Sequence, residues 1–201
     1  RQATDVSFNN EGWTKTSGVD VQVNWGSDLA DVGIDIPGYL GVNFMMNTLL
    51  KLDTRATPAS STIDWKGSLG PDSSTGLNGG AYDYRTFTTF NYALNNFNVS
   101  LRWRHLPEAD PVAQAFLPGV NVPQHGAEDT YNIFDLSGSW SYNDNFTLRA
   151  GIDNLFDEDP VITGEIDANG DDLYTTGQGT TNPAFYDTLG RRFFVGVKAS
   201  F

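Results

Sequence analysis

Hydrophobic and polar residues alternate one by one over long stretches of this chain. That period of two marks strands with one oily and one wet face. It is plainest at the C-terminal end, where Phe193, Val195, Val197, Ala199 and Phe201 share one face and Arg192, Lys198 and Ser200 the other. Val19, Val21, Val23 and Trp25 oppose Asp20, Gln22 and Asn24. Within Gly38–Leu52, Leu40, Val42, Phe44, Met46, Leu50 and Leu52 oppose Asn43, Asn47 and Lys51. Tyr82–Leu94 is weaker, with Phe90, Tyr92 and Leu94 set against Arg85, Thr89 and Asn91. Phe97, Val99, Leu101 and Trp103 oppose Asn98, Ser100, Arg102 and Arg104. Phe134, Leu136, Gly138, Trp140 and Tyr142 oppose Asp135, Ser137, Ser139 and Ser141, and Phe146, Leu148, Ala150 and Ile152 oppose Thr147, Arg149, Gly151 and Asp153. With Thr4–Phe8 as the end of a clipped first strand and Asn9–Thr16 as a short link, the pattern predicts roughly eight strands. Counted with their flanking residues, all but the first are expected to be long enough to cross a bilayer, which takes ~9–11 residues.

The gaps carry the topology. Asn95-Asn96 and Asn143-Asp144-Asn145 are tight turns made of residues that tolerate left-handed backbone. Gly26–Pro37 is a longer turn at the same rim. Asp53–Ala81, Pro107–Thr130 and Leu155–Asp187 are long and all fall at the opposite rim of an up-and-down meander. Short turns on one side and long loops on the other is the outer-membrane barrel arrangement. Trp25, Phe97, Trp103, Trp140, Tyr142 and Phe201 lie near strand ends, where interfacial girdles form. Core aromatics of a soluble β-sandwich also alternate, but the opposite face here is heavily polar and charged.

Composition narrows the classes. No run approaches the ~18 apolar residues of a membrane-spanning helix; the longest candidate, Tyr39–Leu52, is broken by Asn43, Asn47 and Lys51. Cysteine is absent, which excludes disulfides and thiolate metal sites. A net charge of -13 argues against nucleic acid, whose phosphates need Lys and Arg. No signal peptide is visible, so the opening Arg1-Gln2-Ala3-Thr4-Asp5 reads as a mature form or a fragment.

Three stretches carry a family resemblance. Phe146–Asp157, with its Asn154-Leu155-Phe156-Asp157, resembles the penultimate strand of TonB-dependent outer-membrane receptors. Asn182–Val197 resembles their final loop and strand, and Lys15–Asp20 their recurring Gly-Val-Asp strand opening. The likeness spans residues 4 to 201 and is densest from 131 onward. It implies a barrel of about 22 strands around an N-terminal plug, in the outer membrane of a Gram-negative bacterium. It also implies TonB-driven import of a scarce nutrient: a ferric siderophore, cobalamin or an oligosaccharide. Neither a plug nor a TonB-contacting segment is recognisable near Arg1. The whole chain, 1–201, is therefore expected to supply the C-terminal part of such a barrel, roughly its last eight strands. Contact with the TonB complex would pass through the plug. Outer-membrane lipid and lipopolysaccharide would surround the wall. Phe193, Val195, Val197, Ala199 and Phe201 resemble the signal read by the barrel-assembly machinery.

Candidate chemistry is sparse. His105 and His125 are far apart and lack ligand spacing. No nucleophile triad or phosphate loop is present, and neither a catalytic residue nor a cofactor is expected. Arg102, Arg104, Arg149 and Arg192 share the polar face of their strands. As lumen residues they either attract an anionic solute or pair with plug and barrel carboxylates. Leu155–Asp187 holds eight acidic residues and no Lys or Arg. Within it Asp167, Asn169 and Asp171 match the first ligands of a calcium loop. Asp172 then stands where the turn needs Gly, and Gln178 where a bidentate Glu belongs, so an acidic turn without a metal is the reading preferred. Gly67–Gly80 has the composition of a flexible loop. Two further readings stay open. One is a complete eight-stranded structural or adhesion barrel with Arg102, Arg104, Arg149, Arg192 and Lys198 packed against Asp20, Asp135 and Asp153. The other is a soluble carbohydrate-binding sandwich using Trp65 and Tyr82.

Overall fold

A computed structural model describes residues 12–69, 81–111, 115, 124–125, 129–162, 164–165, 181 and 185–200. The fold is all-β. Its strands are β1 (Trp13–Asp28), β2 (Tyr39–Arg55), β3 (Ile63–Asp64), β4 (Tyr84–Leu94), β5 (Phe97–Leu106), β6 (Gln124–His125), β7 (Tyr131–Ser141), β8 (Phe146–Asp153), β9 (Gly164–Glu165) and β10 (Arg192–Ala199). Seven long strands form one sheet in the order β1-β2-β4-β5-β7-β8-β10, with the short β3 added against β2. Each long strand pairs antiparallel with the next one along the chain. The sheet is an open meander: among the described residues β1 and β10 each keep one unpaired edge, and the other sheet is the two-stranded β6–β9. A closed eight-stranded barrel and a two-layer sandwich are thus both absent from the described residues.

The register turns the alternation of each strand into continuous rows. Trp25, Val42, Phe90, Leu101, Leu136, Ile152 and Phe193 are successive cross-strand partners through all seven long strands. One residue along, on the other side of the sheet, the row reads Gly26, Gly41, Asn91, Ser100, Ser137, Gly151 and Phe194. A slip of one position would exchange the two sets, so the pattern itself fixes the pairing. The apolar rows are not packed into a core: Phe193, Val195 and Val197 are 71%, 76% and 70% exposed. A contiguous apolar surface of this kind needs an apolar neighbour.

The buried core lies elsewhere. Leu69, Tyr82, Ala109, Tyr131, Ile133 and Tyr186 form it, joined by Leu106, Val161 and Phe185. Leu69, Tyr82, Ala109, Val161, Phe185 and Tyr186 come from the long connections, and Tyr131 and Ile133 from the polar face of β7. The long connections therefore fold over that face at their own rim. They are also tied to one another: Leu69 N–H donates to the Asp110 carbonyl, Asp110 N–H to that of Gly67, and Ser68 bridges Ala81. β6 pairs with β9, linking the second connection to the third.

Two expectations change. Thr4–Phe8 lies outside the described residues, and Asn9–Thr16 is not simply a link, because Trp13–Thr16 pair with Leu52–Arg55 as part of β1. A bulge between Ser17 and Gly18 shifts the register, making Leu50 the extra residue on β2. There the glycine is required, since a Cβ on Gly18 would sit 2.7 Å from the Thr48 carbonyl oxygen. The bulge breaks the period of two and hides the continuation of the strand. The other correction concerns β7, which begins at Tyr131 rather than Phe134.

Gly151 shows how closely the polar face is packed. A Cβ there would lie 2.4 Å from the Phe194 ring and 2.9 Å from the Leu136 carbonyl oxygen. Gly151→Val is expected to lower folded stability by about 1–3 kcal/mol, the usual cost of overpacking. Adding Phe194→Ala should recover only part of it, because the carbonyl clash stays. Urea unfolding followed by tryptophan fluorescence in detergent micelles measures both.

Candidate functional site

The two faces end in different chemistry at the two rims. On the apolar face at the short-turn rim, Phe97 and Trp140 are register partners and stack with ring centroids 5.9 Å apart; Tyr142 meets Trp140 edge-on at 5.6 Å. Toward the long-loop rim Trp103 and Phe134, again partners, stack at 5.8 Å. Six residues of β5 separate Phe97 from Trp103, about 20 Å along the strand. Between the two aromatic pairs the face carries Val99, Leu101, Leu136 and Gly138. A shallow apolar trough of about 490 Å³ crosses this band, with Gly138 and Ala150 among its lining residues.

Beyond Trp103 the apolar face turns polar. The Trp103 indole N–H donates to Asn132 Oδ1 at 2.9 Å, and His105 Nδ1 lies 2.9 Å from the same oxygen. A carboxamide oxygen only accepts, so His105 carries its proton on Nδ1. Its Nε2 is then the acceptor for the Tyr84 hydroxyl at 3.3 Å. His105 thus belongs to a polar rim of aromatic and amide groups. His125 lies in β6 and pairs through its backbone with Gly164.

The polar face holds the arginines. Arg102 Nε donates to Asp135 Oδ2 at 2.9 Å, and Arg104 Nη2 reaches Oδ1 at 3.4 Å. Arg104 Nε is 3.3 Å from Oδ2 but is badly aligned, and it is buried without a hydrogen-bond acceptor among the described residues. Asp135 also accepts the backbone N–H of Asn154 at 3.0 Å. Removing this one carboxylate would strand three donors. Arg192 grips Asp187 with two nitrogens, at 2.9 and 3.1 Å, and has Asp153 at 3.8 Å. The structure therefore pairs Arg102, Arg104 and Arg192 with carboxylates of the chain itself. Arg149 and Lys198 are exposed on the same face without an ion pair among the described residues.

The two C-terminal motifs touch. Asn154 is fully buried and folds its carboxamide onto the backbone of Glu158, accepting the Glu158 N–H at 2.8 Å and donating to its carbonyl at 2.9 Å. Both Asn154 and Asp157 adopt positive φ, 52° and 59°, a conformation Asn and Asp tolerate better than most residues. Asp157 Oδ1 accepts the backbone N–H of Arg191 at 2.8 Å. The Asn-Leu-Phe-Asp turn is thus a clasp that holds the start of β10 to the end of β8.

Sequence reasoning missed the tyrosines under the loops. Tyr82 and Tyr186 share a hydroxyl–hydroxyl hydrogen bond of 2.7 Å across 104 residues of chain. Tyr131 packs edge-on against Tyr186 and its hydroxyl accepts the Asp187 N–H at 3.0 Å. Burial, then the hydrogen bond to Tyr186, pushes the Tyr82 hydroxyl far up from its ordinary value. Nothing local signals a contact of such sequence separation. Trp65 is wholly buried, its indole N–H donating to Thr54 Oγ1 at 2.8 Å, and Tyr82 is buried too. Neither offers a ring to a carbohydrate. Phe193, Val195, Val197 and Ala199 lie on the apolar face of the edge strand β10; Phe201 and the acidic Asp167, Asn169 and Asp171 lie outside the described residues.

Compared with protein-family models, with curated proteins and with solved structures, the chain matches none. What the protein does must therefore be argued from its own sequence and geometry.

Asp187 makes a pH-sensitive tie. Burial alone would raise its pKa, but the hydrogen bonds from Arg192 and the Leu189 N–H, with the Arg192 charge, outweigh it and hold the carboxyl below its usual range. A lowered folded-state value adds stability above the unfolded pKa and loses it as pH falls through the folded one. Stability should therefore drop on acidification below about pH 4, and Asp187→Asn should flatten that drop. Thermal unfolding across a pH series checks it; an unchanged slope in the variant would remove Asp187 as the cause.

Proposed function

We propose that this chain is a stretch of the wall of a TonB-dependent outer-membrane importer, with its apolar face in lipid and its polar face toward a water-filled lumen. The observation that carries the reading is the unbroken apolar row from Trp25 to Phe193, exposed at Trp25, Phe90 and Phe193 and half-buried between them, backed one residue away by a row of Gly, Ser and Asn that ends in Phe194. A water-exposed sheet has no use for seven aligned hydrophobic side chains. A lipid-facing strand, in contrast, alternates apolar and polar positions in this way.

Three features support the finer reading. Aromatic pairs frame the apolar band at both rims, as interfacial girdles do. The tight turns lie at one rim, and the long connections at the other fold onto the lumen face, where they would narrow the entrance. The free edges of β1 and β10 suit continuation into further strands, since unpaired backbone is untenable in hydrocarbon. TonB dependence comes from the resemblance of Phe146–Asp157 and Asn182–Val197 to that receptor family. On this reading the wall sits in the outer membrane of a Gram-negative bacterium, among lipid and lipopolysaccharide. The barrel-assembly machinery inserts it, and a plug couples it to TonB for uptake of a siderophore, cobalamin or oligosaccharide.

The wall is tested by single cysteines carrying a polarity-sensitive dye in bilayers. Leu148→Cys and Val195→Cys should give blue-shifted emission quenched by nitroxide lipids; Arg149→Cys and Lys198→Cys should be quenched by aqueous iodide. Four equally water-accessible dyes would refute the wall. Import is tested by deleting the gene and measuring growth on iron-chelate, cobalamin and glycan sources. Loss on one source is expected, and unaltered growth on all would refute the transport reading.

A further inference from the structure

We infer that the polar face carries a binding site for an organic anion that bears a flat apolar group, built on Arg102, Arg104 and Phe87. The inference deepens the importer reading, because it takes this face to be the wall of an aqueous lumen.

The charge of the site follows from counting. Arg102 and Arg104, two residues apart on β5, both lean on the single carboxylate of Asp135. With Arg192, Asp153 and Asp187 beside them the cluster holds three cations and three carboxylates, and is neutral by itself. The other carboxylates nearby, Asp153 and Asp187, are engaged by Arg192. On the side away from them the register brings β4, where Thr89 stands beside Arg102 and Phe87 beside Arg104. That strand adds no carboxylate to this face; it adds Arg85, which has no ion pair among the described residues and leaves the site one positive charge.

Donors are left over. Arg102 uses one nitrogen on Asp135 and is half exposed. Arg104 uses one nitrogen, in a long hydrogen bond, and its Nε is the buried side-chain nitrogen left without an acceptor among the described residues. A guanidinium has five N–H groups in a planar fork that suits carboxylate and phosphate, so most of this donor capacity is free for an anion. The Arg104 Nε is itself out of reach, so an anion would meet the half-exposed Arg102 and the outer, partly exposed end of Arg104.

The apolar half of the ligand follows from the neighbours. Phe87 and Met45 are register partners on the polar face, 39% and 45% exposed. Phe194 and Tyr39 also stand exposed on this face, but on β10 and at the far end of β2; beside Arg102 and Arg104 the apolar surface is that of Phe87 and Met45. A ring and a thioether side by side form a small greasy step next to two guanidinium groups, and cross-strand partners stand about 5 Å apart. A ligand with one anionic group and one ring satisfies both halves at once. A neutral sugar would waste the charge, and a bare inorganic anion the step.

The test uses the 201-residue chain in lipid nanodiscs, with naphthoate as the probe, naphthalenemethanol as its neutral match and acetate as the anion without a ring. Partition into empty nanodiscs is subtracted. Naphthoate should bind saturably at one per chain and at least about tenfold more tightly than either comparison, the scale of one charge-assisted hydrogen bond. Arg102→Gln and Phe87→Ser should each weaken it about tenfold, while Lys198→Gln, a cation elsewhere on the same face, should change it less than about twofold. Met45→Ser serves as the second apolar variant if Phe87→Ser does not fold. Equal binding of the neutral alcohol, or equal loss in Lys198→Gln, or wild-type affinity in Arg102→Gln, would overturn the site. The dye labelling at Leu148 and Arg149 decides the wall separately: absent naphthoate binding with that labelling intact removes the site alone.

Discussion

A strand turns alternate side chains to opposite sides, and hydrogen bonds between strands lock which residues stand abreast. The rest of this structure depends on that coupling. Because each of the seven long strands alternates in the same phase at the same register, the apolar sets line up as rows and the polar sets line up behind them. The sheet needs no second layer to bury its hydrophobic face, provided an apolar solvent does so. Between β1 and β10 its main-chain groups are satisfied by neighbouring strands, which is the condition a membrane imposes; the two outer edges still need a partner.

The polar face is held by a few hubs. Asp135 gathers two arginines and the backbone of Asn154, so it ties β5, β7 and the turn after β8 together. The clasp of Asn154 and Asp157 then fixes where β10 begins. Arg192, Asp187 and Tyr131 carry the same connection up into the loops. Over these hubs the long connections bury Tyr82 and Tyr186. The loop rim of the polar face is thus dry and tied down, while the short-turn rim, with Arg149 and Lys198, stays wet. Between them lie the half-exposed Arg102 and the Phe87 step.

Much of this was legible from periodicity. Phe146–Asp153 matches β8 from end to end, and Phe97–Arg104 falls short of β5 by only two residues. The misses share a cause. Above Asp135 the pattern inverts: Tyr131, Ile133 and Leu106 turn apolar side chains inward under the loops, while Asn132 and His105 put polar groups on the outer rim. A reading that assumes one phase stops where the phase flips. The bulge at Gly18 hid four residues of β1 in the same way. The arginines were placed on the correct face by alternation, and Asp135 was visible as a neighbour. The tyrosine cluster was not, since it depends on loops that meet across more than a hundred residues.

The central claim is that the aligned hydrophobic row meets lipid. Nuclear Overhauser contacts measured on methyl-labelled protein in deuterium-edited bilayers address it most directly. The account predicts cross-peaks from the methyl groups of Leu136, Leu148, Val195 and Val197 to lipid acyl-chain protons. Cross-peaks from those methyl groups to water alone, or to a packed set of protein methyl groups on a second layer, would contradict it.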